Sequence, residues 1–260
     1  MNLELECAQR NGEVHHRTPT IGFPIGSILA AASCVTPTPR SPQEPFVPAL
    51  RFHVLTRAYD VLLALTLDEA RYKRSLVEQA TIAPSHAVLD LGCGTGTLTR
   101  MIKTAHPDAQ VTGLDMDPEA LGIARRKAAD AGLDVSFVHG SATAPPFEPQ
   151  RFDRVLTSLM LHHLVREQKQ RTLSAARSLL RPGGELHVLD WGRPQDPVMA
   201  LAFLPVRLLD GFAPTRDNAR GNLPALLREA GFTDVAETRH SRTLYGTLTH
   251  LHARRSAEGG

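Results

Sequence analysis

Cysteine is scarce in this chain. Only Cys7, Cys34 and Cys93 occur among 260 residues, far apart from one another. A disulfide-stapled secreted scaffold and a thiolate zinc site both need cysteines at short, paired spacings, so neither is expected. The twelve histidines do not fill that gap, because none falls into a Cys/His ligand spacing, and no metal is expected. Charge of one sign is lacking as well. Lys and Arg number 29 against 27 Asp and Glu, a formal net charge of +2. No basic block of the kind that tracks nucleic acid is present. Ile21 to Val35 is apolar but too short to cross a bilayer, and it is broken by Gly22, Pro24 and Gly26. It ends in Ala30-Ala31-Ala32-Ser33-Cys34, a run similar to a signal-peptide cleavage site. The long segment before it carries Glu4, Glu6 and Glu13, which argues against export. A cytoplasmic protein with a small-molecule partner, no nucleic acid and no integral membrane segment is expected.

With 42% hydrophobic residues, the chain can bury one good core with a lid. Residues 1–48, with seven recurring prolines from Pro19 to Pro48 and no periodicity, read as a disordered extension. Residues 49–255 read as one domain. It opens with two helices between Arg51 and Ala80, the first carrying Leu55, Tyr59, Leu62 and Leu63 at helical spacing.

The organising stretch is Ala87-Val88-Leu89-Asp90-Leu91-Gly92-Cys93-Gly94-Thr95-Gly96. An apolar run, an acid, three alternate glycines and then a helical pattern describe a buried parallel strand, a tight turn and a helix start. Thr97 stands where a dinucleotide-binding loop would place its third glycine, and no lysine follows as a phosphate-binding P-loop requires. Asp90 beside the turn repels phosphate and suits a cation. A second strand, Val111 to Asp115, ends in an acid about 20 residues further on, a spacing that suits a ribose diol. Ribose, no phosphate and a positive end together fit S-adenosylmethionine.

Strand and helix then alternate, the pattern of an α/β fold. Strands are predicted at 87–91, 111–115, 135–138, 153–158, 185–190, 232–238 and 244–253, and helices at 97–105, 118–131, 166–180 and 221–230. Arg181-Pro182-Gly183-Gly184 is predicted to end the 166–180 helix as a turn. The short connection His240 to Thr243 lets the last two strands pair antiparallel.

Here the sequence resembles the class I S-adenosylmethionine-dependent methyltransferases, over about residues 50–254. The nearest branch is that of the ubiquinone/menaquinone C-methyltransferases. That likeness rests on Tyr59-Asp60, the Asp90–Gly96 loop, Leu161-His162-His163-Leu164 and Arg181-Pro182-Gly183-Gly184-Glu185. The resemblance implies a Rossmann-like, seven-stranded, mostly parallel sheet with an antiparallel last strand and helices on both faces. Ligands of such sheets bind at the carboxyl ends of the strands. The implied cofactor contacts are Asp90, Gly92, Cys93, Gly94, Gly96, Asp115, Met116, Ser141, Ala142 and Ser158. Ser141 departs from the acid the family usually carries there. His163 and His162 are the candidate catalytic residues. Tyr59, Trp191, Phe203 and Phe212 are the candidate acceptor contacts, the last two within a substrate lid at 197–215. The expected activity is methyl transfer to a small, apolar or aromatic, quinone-like and lipid-like acceptor. A cofactor-binding protein without turnover and a nucleic-acid or protein methyltransferase are the alternatives. The nucleic-acid reading would want Asn/Asp-Pro-Pro-aromatic where Ser158-Leu159-Met160-Leu161 stands.

Overall fold

The computed structural model describes residues 68–257. The predicted 1–48 extension, the first predicted helix, Phe52 and Tyr59 lie outside these residues. The sheet is made of β1 (Ala87–Leu91), β2 (Gln110–Asp115), β3 (Ser136–His139), β4 (Phe152–Ser158), β5 (Leu180–Trp191), β6 (Thr233–Thr243) and β7 (Gly246–Arg254). Their order is β3-β2-β1-β4-β5-β7-β6. All pairs among β1 to β5 are parallel, and β7 runs antiparallel to both β5 and β6. This is the expected sheet with its reversed last strand.

The helices are α1 (Glu69–Gln79), α2 (Thr97–Ala105), α3 (Pro118–Asp130), α4 (Arg166–Leu179), α5 (Pro197–Ala202), α6 (Leu204–Asp210), α7 (Arg216–Arg220) and α8 (Leu223–Glu229). Local chemistry sets their starts. Asp117 caps α3 by accepting from the Glu119 and Ala120 amides, with Pro118 in the first turn. Asp68 and Asp196 do the same for α1 and α5. Adjacent strand residues go to opposite faces. Leu89, Val155 and Val188 enter one core with Leu173 and Leu226, whereas Val88, Leu156 and Leu189 enter the other with Leu76, Ile102 and Phe203.

Three boundaries differ from the sequence reading. The Arg181–Gly184 turn lies inside β5: Leu180 pairs with Phe152 and Glu185 with Arg154, so four residues bulge opposite Asp153. The Arg255 backbone bonds both Gly183 and Gly184, which keeps the bulge within the sheet. The predicted 221–230 helix begins at Leu223, because Gly221 takes a left-handed conformation that ends α7. Finally, β6 runs on through His240–Thr243, and the connection is Leu244-Tyr245. Thr243 Oγ1 closes that turn by accepting from the Tyr245 amide and donating to the Gly246 carbonyl. Residues 240–243 read as a connection because this edge strand is largely solvated and lacks the buried face that produces alternation.

The order of the strands reverses at β1, which has β2 on one side and β4 on the other. The crevice beyond the carboxyl ends of β1 and β4 is therefore the expected ligand position in such a sheet.

Candidate functional site

The β1–α2 loop is held by backbone bonds. The Gly92 and Cys93 amides both donate to the Leu114 carbonyl, at 2.8 and 2.9 Å. Gly92, Gly94 and Gly96 all have positive φ, of 77, 51 and 74°, which explains why the alternate positions are glycine. Gly113, within β2, was not singled out in the sequence. A Cβ there would lie 2.9 Å from Cys93 Sγ, so its bareness makes room for the loop. Cys93 is buried, and burial first, then the Asp90 and Asp115 charges, push its thiol far above the usual range. It fills the turn and is no nucleophile at neutral pH.

Asp115, at the end of β2, clamps the same loop. Its Oδ2 accepts from the Gly94 amide at 2.7 Å and its Oδ1 from the Asp117 amide at 2.9 Å. Met116 behind it is exposed, and its carbonyl meets His139 Nε2 at 3.0 Å. After β3, Ser141 Oγ bonds Thr143 Oγ1, and Ala142 packs against the core. Asp90 is fully buried beneath the loop. Its Oδ2 accepts from Thr99 Oγ1 at 2.6 Å, while its Oδ1 takes no hydrogen bond among the described residues. Burial pushes its pKa up to about 6, against the Thr99 hydrogen bond and the Lys73 charge.

The second half of the site follows β4. Met160 reaches back to the glycine loop, since a Cβ on Gly92 would lie 2.5 Å from its Cγ. Leu161–His163 form a 3-10 turn after the buried Ser158. Asp190 of β5 organises that turn. One oxygen accepts from the Leu161 and His162 amides, at 2.8 and 3.3 Å. The other takes His162 Nδ1 at 2.7 Å, the Trp191 amide at 2.7 Å and Asn218 Nδ2 at 3.2 Å. A carboxylate only accepts, so His162 Nδ1 carries the proton and Nε2 faces away. Nε2 lies 3.6 Å from Asp210 on the lid helix α6, as does His163 Nδ1. Burial opposes a charged His162, yet the Asp190 charge and hydrogen bond and the Asp210 charge together raise its pKa. Asp190 moves the opposite way: burial is again outweighed, here by His162 and the Trp191 amide. His163 is pushed down, first by the His162 charge and then by burial.

The aromatic candidates separate. Trp191 and Phe203 are core residues with rings 5.5 Å apart, and Trp191 meets the His162 ring edge-on at 6.4 Å. The sequence reading placed both against an acceptor. Both are buried, Phe203 with Met199 and Val206 at helical spacing on the inner side of the 197–215 segment. Phe212 is 48% exposed, with the Arg207 guanidinium 4.7 Å above its ring. Thus Asp115 ties the Gly92–Gly96 loop to the end of β2, Met160 brings the Leu161–His163 turn up to that loop, and Asp190 holds the turn from β5. Asp190, Asp210, Asn218 and Thr99 belong to the same networks. Among them, Asp190 closes the predicted 185–190 strand, and the other three carry no signal in the sequence.

These features fit a cationic nucleoside ligand. A Cβ on Gly94 would meet nothing within 4 Å, so the loop backbone is open to close approach there. A buried carboxylate oxygen without a donor lies below the loop, and an acid stands at the end of β2. The model of the family described as "Methyltransferase domain" matches residues 88–184. Fold, site and family match define an S-adenosylmethionine-dependent methyltransferase of class I. The chain is 35% identical over 154 residues to the demethylmenaquinone methyltransferase of Thermus thermophilus, covering 58% of this chain and 69% of that one. It is 33% identical over 151 residues to the ubiquinone/menaquinone biosynthesis C-methyltransferase of Bordetella avium, covering 56% and 58%. A Methanosarcina mazei S-adenosylmethionine-dependent methyltransferase structure superposes with a TM-score of 0.57 at 19% identity, covering 70% of this chain and 98% of that one. The chain belongs to this family, in the branch of the ubiquinone/menaquinone C-methyltransferases. It is a methyltransferase, and its cofactor is S-adenosylmethionine.

Proposed function

We propose that the protein methylates a ring-bearing, largely apolar acceptor of the quinol class, with the Asp190–His162 pair taking a proton from a ring hydroxyl. The observation that carries this reading is the 2.7 Å contact that turns His162 Nε2 toward the lid. The quinone names of the two relatives support the acceptor class. The cofactor supplies an electrophilic methyl group on a sulfonium, open to in-line displacement. Asp115 and the Gly92–Gly96 backbone hold its nucleoside end, Asp90 answers its positive charge, and Met116, Ser141 and Ala142 flank the base. His162, neutral and held by Asp190, accepts the hydroxyl proton, and the ring carbon beside the resulting oxyanion is then the nucleophile. Once methylated, that carbon gives up its hydrogen as a proton to solvent while the ring oxygen regains a proton from His162, which restores the aromatic quinol and the neutral base. Such a positioned base contributes about 10²–10⁴-fold. His163, whose pKa the adjacent His162 and burial hold below its ordinary value, is 41% exposed and hydrogen-bonds the acceptor. Phe212 covers the ring. The rest of the rate comes from alignment of ring carbon, methyl and sulfur.

The test is methyl transfer from labelled S-adenosylmethionine to a short-chain prenylated naphthoquinol and to its dimethyl ether, which lacks an acidic proton. Product from the quinol alone is expected. Equal transfer to both, or to neither, would remove the reading.

A further inference from the structure

The lid is apolar on both faces. Met199, Phe203 and Val206 point into the core, and every exposed residue from 197 to 213 is also apolar. Val198, Leu201, Leu204, Leu208 and Phe212 stand out, with Leu201 70% and Leu208 63% exposed. They are five of the seven large hydrophobic residues exposed among the described residues, gathered in one short span. A sixth, Leu244, is 72% exposed on the β6–β7 turn. That turn abuts the lid, since a Cβ on Gly246 would lie 3.0 Å from Phe203 Cβ. Helices that are apolar all round belong inside a core or against a membrane, and such a cluster marks an interaction face.

The exposed charges on the segments that flank 197–213 in the chain are of one sign. Arg193, Arg216 and Arg220 are exposed and carry no ion pair among the described residues. Arg193 lies against Gly221 at the end of α7, and Arg207 covers Phe212. The nearby acids are engaged. Asp196 caps α5 and pairs with Arg242, Asp217 is buried against Arg166, and Asp210 faces the two histidines.

We propose that this face docks on the anionic surface of a lipid bilayer, with the leucines entering the headgroup–acyl boundary and the arginines meeting lipid phosphates. A second copy of the chain is the poorer occupant, because half a dozen side chains fall well short of the roughly 20–30 residues a side of a stable protein interface. The inference suits the quinol reading but stands apart from it: its readout is lipid binding without acceptor or turnover.

The experiment is flotation of the full-length protein with phosphatidylcholine vesicles, with and without phosphatidylglycerol. Strong binding is expected only when phosphatidylglycerol is present. Leu201→Glu with Leu208→Glu should lower it more than tenfold, and each of Arg216→Ala and Arg220→Ala about fivefold. Melting temperature and S-adenosylhomocysteine affinity should hold in all of these variants. Absence of wild-type binding, or binding of the leucine variant at the wild-type level, would overturn the proposal. A lowered melting temperature in the leucine variant would overturn it by showing that the chain itself covers the face. A lipid-free dimer that the same variant splits, seen by sedimentation, would overturn it in favour of a self-interface.

Discussion

Asp190 Oδ1 lies 2.7 Å from His162 Nδ1, and the same fully buried carboxylate also holds the backbone amides of Leu161, His162 and Trp191. The Leu161–His163 turn and the end of β5 are thus tied through one side chain. Asp190→Ala is expected to cost several kcal/mol of stability, since each buried donor left unpaired costs about 1–3 kcal/mol. Denaturant unfolding checks this. His162→Ala, which keeps the carboxylate and its backbone bonds, should unfold closer to wild type while losing turnover.

Asp115 joins the glycine loop to the end of β2 through the Gly94 amide. Asp115→Ala removes that clamp and the acceptor proposed for the ribose diol. Affinity for S-adenosylhomocysteine is expected to fall by about 1–3 kcal/mol, read by calorimetric titration. Unchanged affinity in a folded variant would remove Asp115 from the cofactor site.

The proposed contact of Asp90 with the sulfonium predicts that cofactor binding depends on pH. The folded pKa of Asp90 is raised from 3.8 to about 6 by burial. It therefore favours the folded state below pH 3.8, and that contribution is lost as pH rises through about 6. A sulfonium nearby favours the ionised form and opposes the loss. Preference for S-adenosylmethionine over the uncharged S-adenosylhomocysteine should therefore grow from pH 5 to pH 7, and stay flat in Asp90→Asn. Titrations at both values decide it.

Phe203 and Phe212 are nine residues apart and should behave differently. Phe203→Ala empties a core position against Trp191, at a cost of about 3–5 kcal/mol. Phe212 is half exposed, so Phe212→Ala should leave the melting temperature nearly unchanged and raise the acceptor KM. Thermal unfolding with steady-state kinetics on one preparation separates the two.

What the sequence made legible was local. The Gly92–Gly96 loop could be read because positive φ selects glycine, and Asp115 because an acid ending a strand is visible in order. Asp190 was visible as a strand end, but its partners Leu161 and His162 lie 29 and 28 positions away, so its role emerges only when β4 and β5 pair. Thr99 under Asp90 was hidden for a related reason: helical periodicity marks it as one polar residue among others, whereas the fold buries it. The 197–215 segment was legible as apolar. Composition alone cannot sort Phe203 inward and Phe212 outward, because both of its faces are apolar.

If Asp190 holds His162 as the base for methyl transfer, as proposed, the pH dependence of kcat with a prenylated naphthoquinol reports it, in the wild type and in Asp190→Asn. Asp190 raises the His162 pKa above its ordinary 6.5, and the base must be neutral. The wild-type rate should therefore climb as pH rises through a midpoint above 6.5. In Asp190→Asn that midpoint should move down while the plateau drops by about 10²–10⁴-fold. A rate independent of pH in this range, or an Asp190→Asn profile matching the wild type, would contradict the account.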